Sequence, residues 1–270
     1  MLGLCLDDKA KQTKSKDTRE QMEKKAFECF ESAAQEKEIL AQYMLGIYYY
    51  FGKGTLKNNQ KAKECFEASI FTQSSLEHDL HRGVKTIPPD VVAKIEDIAE
   101  VESTVIADSN FMLGVCYGNM HQQAEAKKYY KAAAEKGHKR AKLMLEYLDI
   151  VEKGVTEEDL ERLKFIGKAG IIGAKDQFIK FMFSHNRSNE LEDVCIENRW
   201  FDELVNFYIN NITNISSFMF GTPMATRRYN AAVSFIKKAK QAGYENAEAQ
   251  LKRANEVYEK YMRTNGANNN

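Results

Sequence analysis

The chain has 270 residues, of which 43% are apolar, and its 39 acidic residues balance 39 basic ones. This composition can bury a sizeable core and excludes a chain that is disordered throughout. A neutral chain also gives no overall charge argument for binding nucleic acid or an anionic membrane. Only three prolines occur, and this scarcity favours long helices.

The beginning of the chain, MLGLCLDDKAKQTKSKD, has a short apolar start followed by charged residues. The apolar run is too short for the core of a signal peptide, and no later run approaches the roughly 18 apolar residues of a membrane span. We predict a flexible segment over residues 1–18 and a cytoplasmic location. Export without a cleavable signal peptide, for example as a bacterial effector, is the alternative.

Helical periodicity dominates the rest of the chain, and no segment alternates in the manner of a strand. In chain order, helices are predicted at 19–36, 39–51, 59–71, 110–120, 123–136, 139–153, 157–168, 175–183, 189–198, 200–211, 228–241 and 246–262. Residues 72–108 interrupt the series, and a helical insert is predicted there, beginning at Pro88-Pro89. Residues 264–270, which are rich in asparagine, are predicted to form a disordered tail.

One residue pattern recurs along these helices. An alanine is followed four residues later by an aromatic residue in Ala26–Phe30, Ala62–Phe66 and Ala126–Tyr130. A Leu-Gly pair with an aromatic residue three positions after the glycine recurs at Leu45-Gly46 and Leu113-Gly114. Such spacing places small and large residues on one helical face, so that a neighbouring helix can approach closely. The pattern predicts helix–turn–helix units that stack on one another.

The stretch Gly52-Lys53-Gly54 joins two of these helices. A phosphate-binding loop requires four residues between its first glycine and a Gly-Lys-Ser/Thr sequence, and this stretch has neither the spacing nor the hydroxyl. We therefore predict a helix-to-helix turn with positive φ at Gly54, followed by a helix capped by Asn58 or Asn59.

The pattern closely resembles the Sel1-like repeat, a relative of the tetratricopeptide repeat, and the resemblance is strongest over residues 41–70. It covers somewhat over half of the chain. It implies an all-α, right-handed α-solenoid over residues 19–263. It also implies a non-enzymatic scaffold or adaptor that binds a protein or peptide partner in a concave groove. By this resemblance, the groove residues are Tyr43, Ile47, Tyr50, Phe111, Val115, Leu143, Tyr147 and Ile150.

Other chemistry is weakly indicated. No catalytic residues, metal ligands or cofactor-binding residues are predicted, although His78 and His81 in HDLH could place two imidazoles near one metal ion. The basic run around Tyr129 and Tyr130 could contact a phosphate backbone, but charge runs on helices are usually solvated faces. A regulatory part of an enzyme system and, less favoured, a nucleic-acid-binding protein therefore stay open as alternative functions.

The five cysteines are odd in number and include no CxxC pair, which argues against a disulfide framework or a structural zinc site. Cys29 and Cys65 occupy the same place in successive repeats. We predict that both are buried thiols on inner helix faces.

Overall fold

A computed structural model describes residues 2–83, 89–213 and 221–266, with side chains described for 2–74, 103–212 and 223–264. Helices occupy most of these ranges, and no strand lies within them, which confirms the all-α prediction. The helices are α1 (Leu2–Gln12), α2 (Lys16–Gln35), α3 (Ile39–Phe51), α4 (Asn59–Gly83), α5 (Pro89–Asn119), α6 (Gln123–Glu135), α7 (Lys139–Lys153), α8 (Leu160–Lys168), α9 (Ile172–Ser184), α10 (Ser188–Glu197), α11 (Phe201–Thr213), α12 (Gly221–Gln241) and α13 (Ala247–Gly266).

The chain divides into two compact units, Met1–Glu146 (unit 1) and Tyr147–Asn270 (unit 2). In unit 1, each helix from α1 to α5 packs against the next one in the chain, and α3 also contacts α5. This arrangement, in which helical hairpins stack side by side, is the α-solenoid that the repeat pattern predicts. Its core is built from the recurring alanines and aromatic residues, including Ala26, Phe30, Ala62 and Phe66.

The first eighteen residues differ from the prediction, because residues 2–12 form helix α1 instead of a flexible segment. Gly3, Asp7 and Ala10 of this helix are buried, and α1 packs along α2. The prediction of a flexible segment was wrong because the charges that follow the apolar start are not all solvated. One of those charges, Asp7, is instead buried against another repeat.

Asp7 ties α1 to α3 through a cluster of polar contacts. Its side chain is 4% exposed, the Lys11 ammonium lies 2.6 Å from Oδ2, and the Lys53 ammonium lies 3.5 Å from Oδ1. The Tyr48 hydroxyl donates a hydrogen bond of 2.7 Å to Oδ1. Burial raises the pKa of Asp7. The hydrogen bonds from Lys11 and Tyr48, together with the Lys53 charge, outweigh that effect and hold the pKa below its usual value.

Replacing Asp7 with asparagine is expected to loosen α1 and to remove part of the acid sensitivity of unit 1. A lowered pKa in the folded state means that ionised Asp7 stabilises α1 at neutral pH. This stabilisation is lost as the pH falls from about 4 through the lowered pKa. The protection factors of the α1 amides, which correct for the slowing of intrinsic exchange in acid, should therefore fall more steeply between pH 7 and pH 3 in the wild type than in Asp7→Asn.

Asp8 provides the matched control for this experiment, because its side chain is 69% exposed and it also pairs with Lys11. Asp8→Asn should leave the exchange of α1 close to that of the wild type at every pH, since an exposed ion pair contributes little. Equal effects of the two substitutions would contradict the role given to the buried carboxylate.

The predicted insert at 72–108 is a continuation of the repeat helices. Helix α4 extends to Gly83, and the single helix α5 runs from Pro89 to Asn119, where two helices were predicted. Within the part whose side chains are described, Val105 and Ile106 form a small core cluster with Ile39 of α3. The second half of α5 therefore belongs to the stack.

The turn between α3 and α4 agrees with its prediction. Gly52 and Gly54 have φ values of 72° and 60°, in the left-handed region that favours glycine. The Lys61 amide donates a hydrogen bond of 2.9 Å to Asn58 Oδ1, so Asn58 is the residue that caps α4.

The two repeat cysteines only partly match their prediction. Cys29 and Cys65 are both free thiols, as predicted, but both are half-buried, whereas full burial was predicted. Burial nevertheless raises the pKa of Cys65 to about 11, since the thiolate would lose much of its hydration.

Unit 2 continues with paired helices, α8 packing on α9, α11 on α12 and α12 on α13. Ala232, Phe235 and Ala239 of α12 are fully buried, so they form the inner face of this helix. The buried carboxylate of Glu192 receives hydrogen bonds from the Tyr208 hydroxyl at 3.2 Å and from the Lys238 ammonium at 2.6 Å.

Candidate functional site

Three glycines show how the repeats of unit 1 are aligned. A Cβ atom added to Gly3, Gly46 or Gly114 would lie 2.9, 2.6 or 2.4 Å from a ring carbon of the facing aromatic residue. The facing residues are Phe30, Phe66 and Tyr130, which hold the same place in successive repeats. A glycine is therefore needed where the first helix of each hairpin crosses the second.

The same contact shows that α1 is the first helix of the first repeat, which the sequence analysis missed. A signal was present, because Leu2-Gly3 followed by Leu6 matches Leu45-Gly46 followed by Tyr49. The match was hidden by loop length. Gly3 stands 27 residues before Phe30, whereas Gly46 stands only 20 residues before Phe66.

The first helices of the hairpins present the surface on which the predicted groove residues lie. In α3, the side chains of Tyr43, Ile47 and Tyr50 are half-buried and pack partly against the core. Burial, together with the nearby charge of Asp108, raises the pKa of Tyr43 to about 12. In α5 and the first part of α7, Val115 and Leu143 are half-buried as well.

Phe111 does not belong to an open groove, contrary to its prediction. Its side chain is 7% exposed, and its ring packs on Tyr130 with centroids 5.6 Å apart. The His138 ring stacks on it at 4.4 Å, and the Arg140 guanidinium lies 5.5 Å from its centroid. Phe111 is buried because the turn between α6 and α7 brings His138 over it, a contact that the sequence of α5 alone does not reveal.

Tyr147 and Ile150 lie in unit 2, and both are half-buried. The Tyr147 hydroxyl would lie 2.5 Å from a Cβ atom added to Gly173, so this side chain covers the beginning of α9. Burial raises the pKa of Tyr147. These two residues therefore belong to unit 2.

Tyr50 is the predicted groove residue with the best defined surroundings. Its hydroxyl accepts a hydrogen bond of 3.1 Å from Asn119 Nδ2 at the end of α5. The Lys57 ammonium lies 5.4 Å from its ring centroid, and the ring of Phe51 meets it edge to face at 4.9 Å. These contacts fix the Tyr50 ring, so that less conformational entropy is lost if a partner binds it.

His138 and Asp108 form the main titratable pair near this surface, with His138 Nε2 3.3 Å from Asp108 Oδ1. The Ala141 amide donates a hydrogen bond of 3.0 Å to His138 Nδ1, so the other ring nitrogen carries the proton that points toward Asp108. Burial lowers the pKa of His138 and raises that of Asp108. The imidazole thus caps the start of α7 and has a structural role.

Metal binding gains no support from the residues with described side chains, where no group of three or more His, Cys, Asp or Glu residues is placed to hold an ion. The predicted pair His78 and His81 lies outside those residues. Among the described helices, none combines the length and the apolar character that crossing a membrane requires.

The repeat geometry of unit 1 agrees with a known family model. A family model described as "Sel1 repeat" matches residues 20–37, 39–70 and 107–138. The chain is also similar to the Sel1 repeat protein from Oxalobacter formigenes. The two sequences are 17% identical, and the comparison with the crystal structure of that protein gives a TM-score of 0.43. That match covers 93% of this chain and 96% of the other. No curated protein matches the chain.

The matched segments coincide with the hairpins seen in the structure. Residues 39–70 span α3 and the first half of α4, and residues 107–138 span the second half of α5 and all of α6. Residues 20–37 cover α2, whose partner α1 is recognised through the contact between Gly3 and Phe30. Proteins with this repeat generally act as protein-interaction scaffolds. Three segments of this chain, all of them in unit 1, thus match the Sel1 repeat.

Proposed function

We propose that the protein is a non-enzymatic scaffold that binds a protein or peptide partner on the first-helix surface of unit 1. This surface is defined by Tyr43, Ile47 and Tyr50 of α3, Val115 of α5 and Leu143 of α7. The observation that carries the proposal is the half-buried apolar stripe along α3, in which the three side chains lie four and three residues apart on one helical face.

The chemistry of this stripe suits a protein partner. Tyrosine supplies a large apolar contact together with a hydroxyl, and such residues are frequent at the energetic centres of interfaces. Tyr50 is held by Asn119 and Lys57, so its ring is already positioned in the free protein. Ile47 lies between Tyr43 and Tyr50 and adds apolar area that an incoming side chain would bury.

The proposal predicts that truncating this stripe weakens partner binding without unfolding the protein. A partner is first captured from the native lysate with the wild-type protein and is then titrated against the double variant Ile47→Ala/Tyr50→Ala. Affinity should fall by about 2 kcal/mol or more, which is roughly 30-fold, because a few large anchors carry most of the energy of an interface.

Phe71→Ala is the matched control, because Phe71 is also a large apolar residue but lies on α4 and is 75% exposed. This variant should bind the captured partner as the wild type does. Circular dichroism must show that the helical content of every variant is retained. Full affinity in a folded Ile47→Ala/Tyr50→Ala variant would place the binding site elsewhere.

A further inference from the structure

A groove of about 820 Å³ opens at the beginning of unit 1, between α1, α2 and the start of α3. Its apolar lining includes Leu2, Leu6, Cys29, Phe30, Ala33 and Leu40. Leu2 and Leu40 are 66% and 36% exposed, so apolar surface is left open at this end of the stack.

The other repeats of unit 1 show what fills the equivalent place elsewhere. Helix α3 begins at Ile39, seven residues before Gly46, and this first segment of α3 contacts α4. Gln42 in this segment accepts a hydrogen bond of 3.1 Å from the Thr72 hydroxyl. Helix α1 begins at Leu2, one residue before Gly3. The groove lies beside the second half of α2, next to the start of α1.

An aromatic side chain is a constant feature of that segment. Tyr43, three residues before Gly46, packs on Phe66 with ring centroids 5.9 Å apart. Phe111, three residues before Gly114, packs on Tyr130 at 5.6 Å. The corresponding ring in the first repeat is Phe30, which lines the groove. The space beside Phe30 is therefore equivalent to the places that Tyr43 and Phe111 occupy in the next two repeats.

The charges around the groove define its occupant further. Three glutamates line it, at positions 28, 36 and 38, whereas Lys25 is the one basic residue among the lining residues. Because carboxylates outnumber basic groups in this lining, an occupant that carries basic residues is favoured, since opposite charges are complementary across an interface.

From these observations we propose that the groove binds a helical segment of a partner protein, with an aromatic residue that packs on Phe30 and basic residues that face the three glutamates. The aromatic residue would take the place beside Phe30 that Tyr43 takes beside Phe66 and Phe111 takes beside Tyr130. This site is distinct from the Tyr43–Tyr50 stripe, and a negative result here leaves the proposal for that stripe untouched.

Cys29 provides the readout for a test, because it is half-buried in the groove, while Cys5 is exposed and does not line it. The probe is a synthetic peptide with the sequence of residues 39–46, ILAQYMLG, extended by two lysines at each end. Alkylation of Cys29 by iodoacetamide, followed by mass spectrometry, should slow by roughly tenfold when the peptide is present at up to about 1 mM. Alkylation of Cys5 should not change.

Two changes should abolish this protection separately. A peptide in which the tyrosine is replaced by alanine should leave Cys29 reactive, and so should the charge-reversing substitution Glu36→Lys in the protein. Glu20→Lys is the matched control, since Glu20 lies on the same helix, is exposed and does not line the groove. This variant should keep the protection seen in the wild type.

Three results would overturn the proposal. The first is unchanged alkylation of Cys29 at the highest peptide concentration. The second is equal protection by the tyrosine and alanine peptides, which would mean that the ring of Phe30 is not recognised. The third is protection of Cys29 that appears on raising the protein concentration without any peptide, which would assign the groove to a second copy of this chain.

Discussion

Gly54→Val is expected to lower the free energy of unfolding of unit 1 by about 3 kcal/mol or more. Valine at a φ of 60° is strained, which costs about 1–3 kcal/mol. A Cβ atom at this position would also lie 2.5 Å from the Glu23 carbonyl oxygen and 2.8 Å from the Lys24 Cα atom. Both are backbone atoms of α2, so the collision cannot be relieved by turning a side chain, and overpacking adds about 1–3 kcal/mol.

Gly137→Val separates these two contributions. Gly137 also has positive φ, at 88°, but no atom lies within 4 Å of its added Cβ atom. This variant should therefore lose only the strain energy, about 1–3 kcal/mol. Urea unfolding followed by circular dichroism gives both values, and hydrogen exchange should show α2 and α3 opening selectively in Gly54→Val. Equal losses in the two variants would mean that the contact with α2 is unimportant.

Gly114→Ala is expected to destabilise unit 1 by about 1–3 kcal/mol, although alanine is the better helix former. In an exposed helix this change stabilises by about 1 kcal/mol. In α5, however, the added methyl group would lie 2.4 Å from the Tyr130 ring, which is buried between α5 and α6. The loss should shrink when Tyr130→Leu is introduced as well, with a coupling energy of about 1 kcal/mol or more.

Gly118→Ala is the control on the same helix, one turn further on. The nearest atom to its added Cβ atom is the Tyr130 hydroxyl oxygen at 3.8 Å, an ordinary van der Waals distance. Thermal unfolding should show that Gly118→Ala is as stable as the wild type or more stable. If Gly114→Ala is equally stable, the glycine is not required by close contact and the repeat alignment is mistaken.

Some features of this protein can be predicted from its sequence, and others cannot. The Gly52-Lys53-Gly54 turn and the bounds of α3 and α7 were predictable, because a helix depends on hydrogen bonds four residues apart and on the residues that end it. The repeat frame was predictable for the same reason. Its alanines and aromatic residues recur at helical spacing, and Ala26, Phe66 and Tyr130 are buried as that spacing requires.

Only the tertiary structure decided which residues of these helices are covered. Asp7 is buried because Tyr48, 41 residues further along the chain, reaches its carboxylate. Phe111 is buried because His138 stacks on it, while Tyr50 keeps part of its ring exposed beside Lys57. The sequence by itself therefore determined the helices, their turns and the repeat that orders them. The burial of α1, the continuity of α5 and the division into two units depend on contacts between distant residues, which local periodicity does not encode.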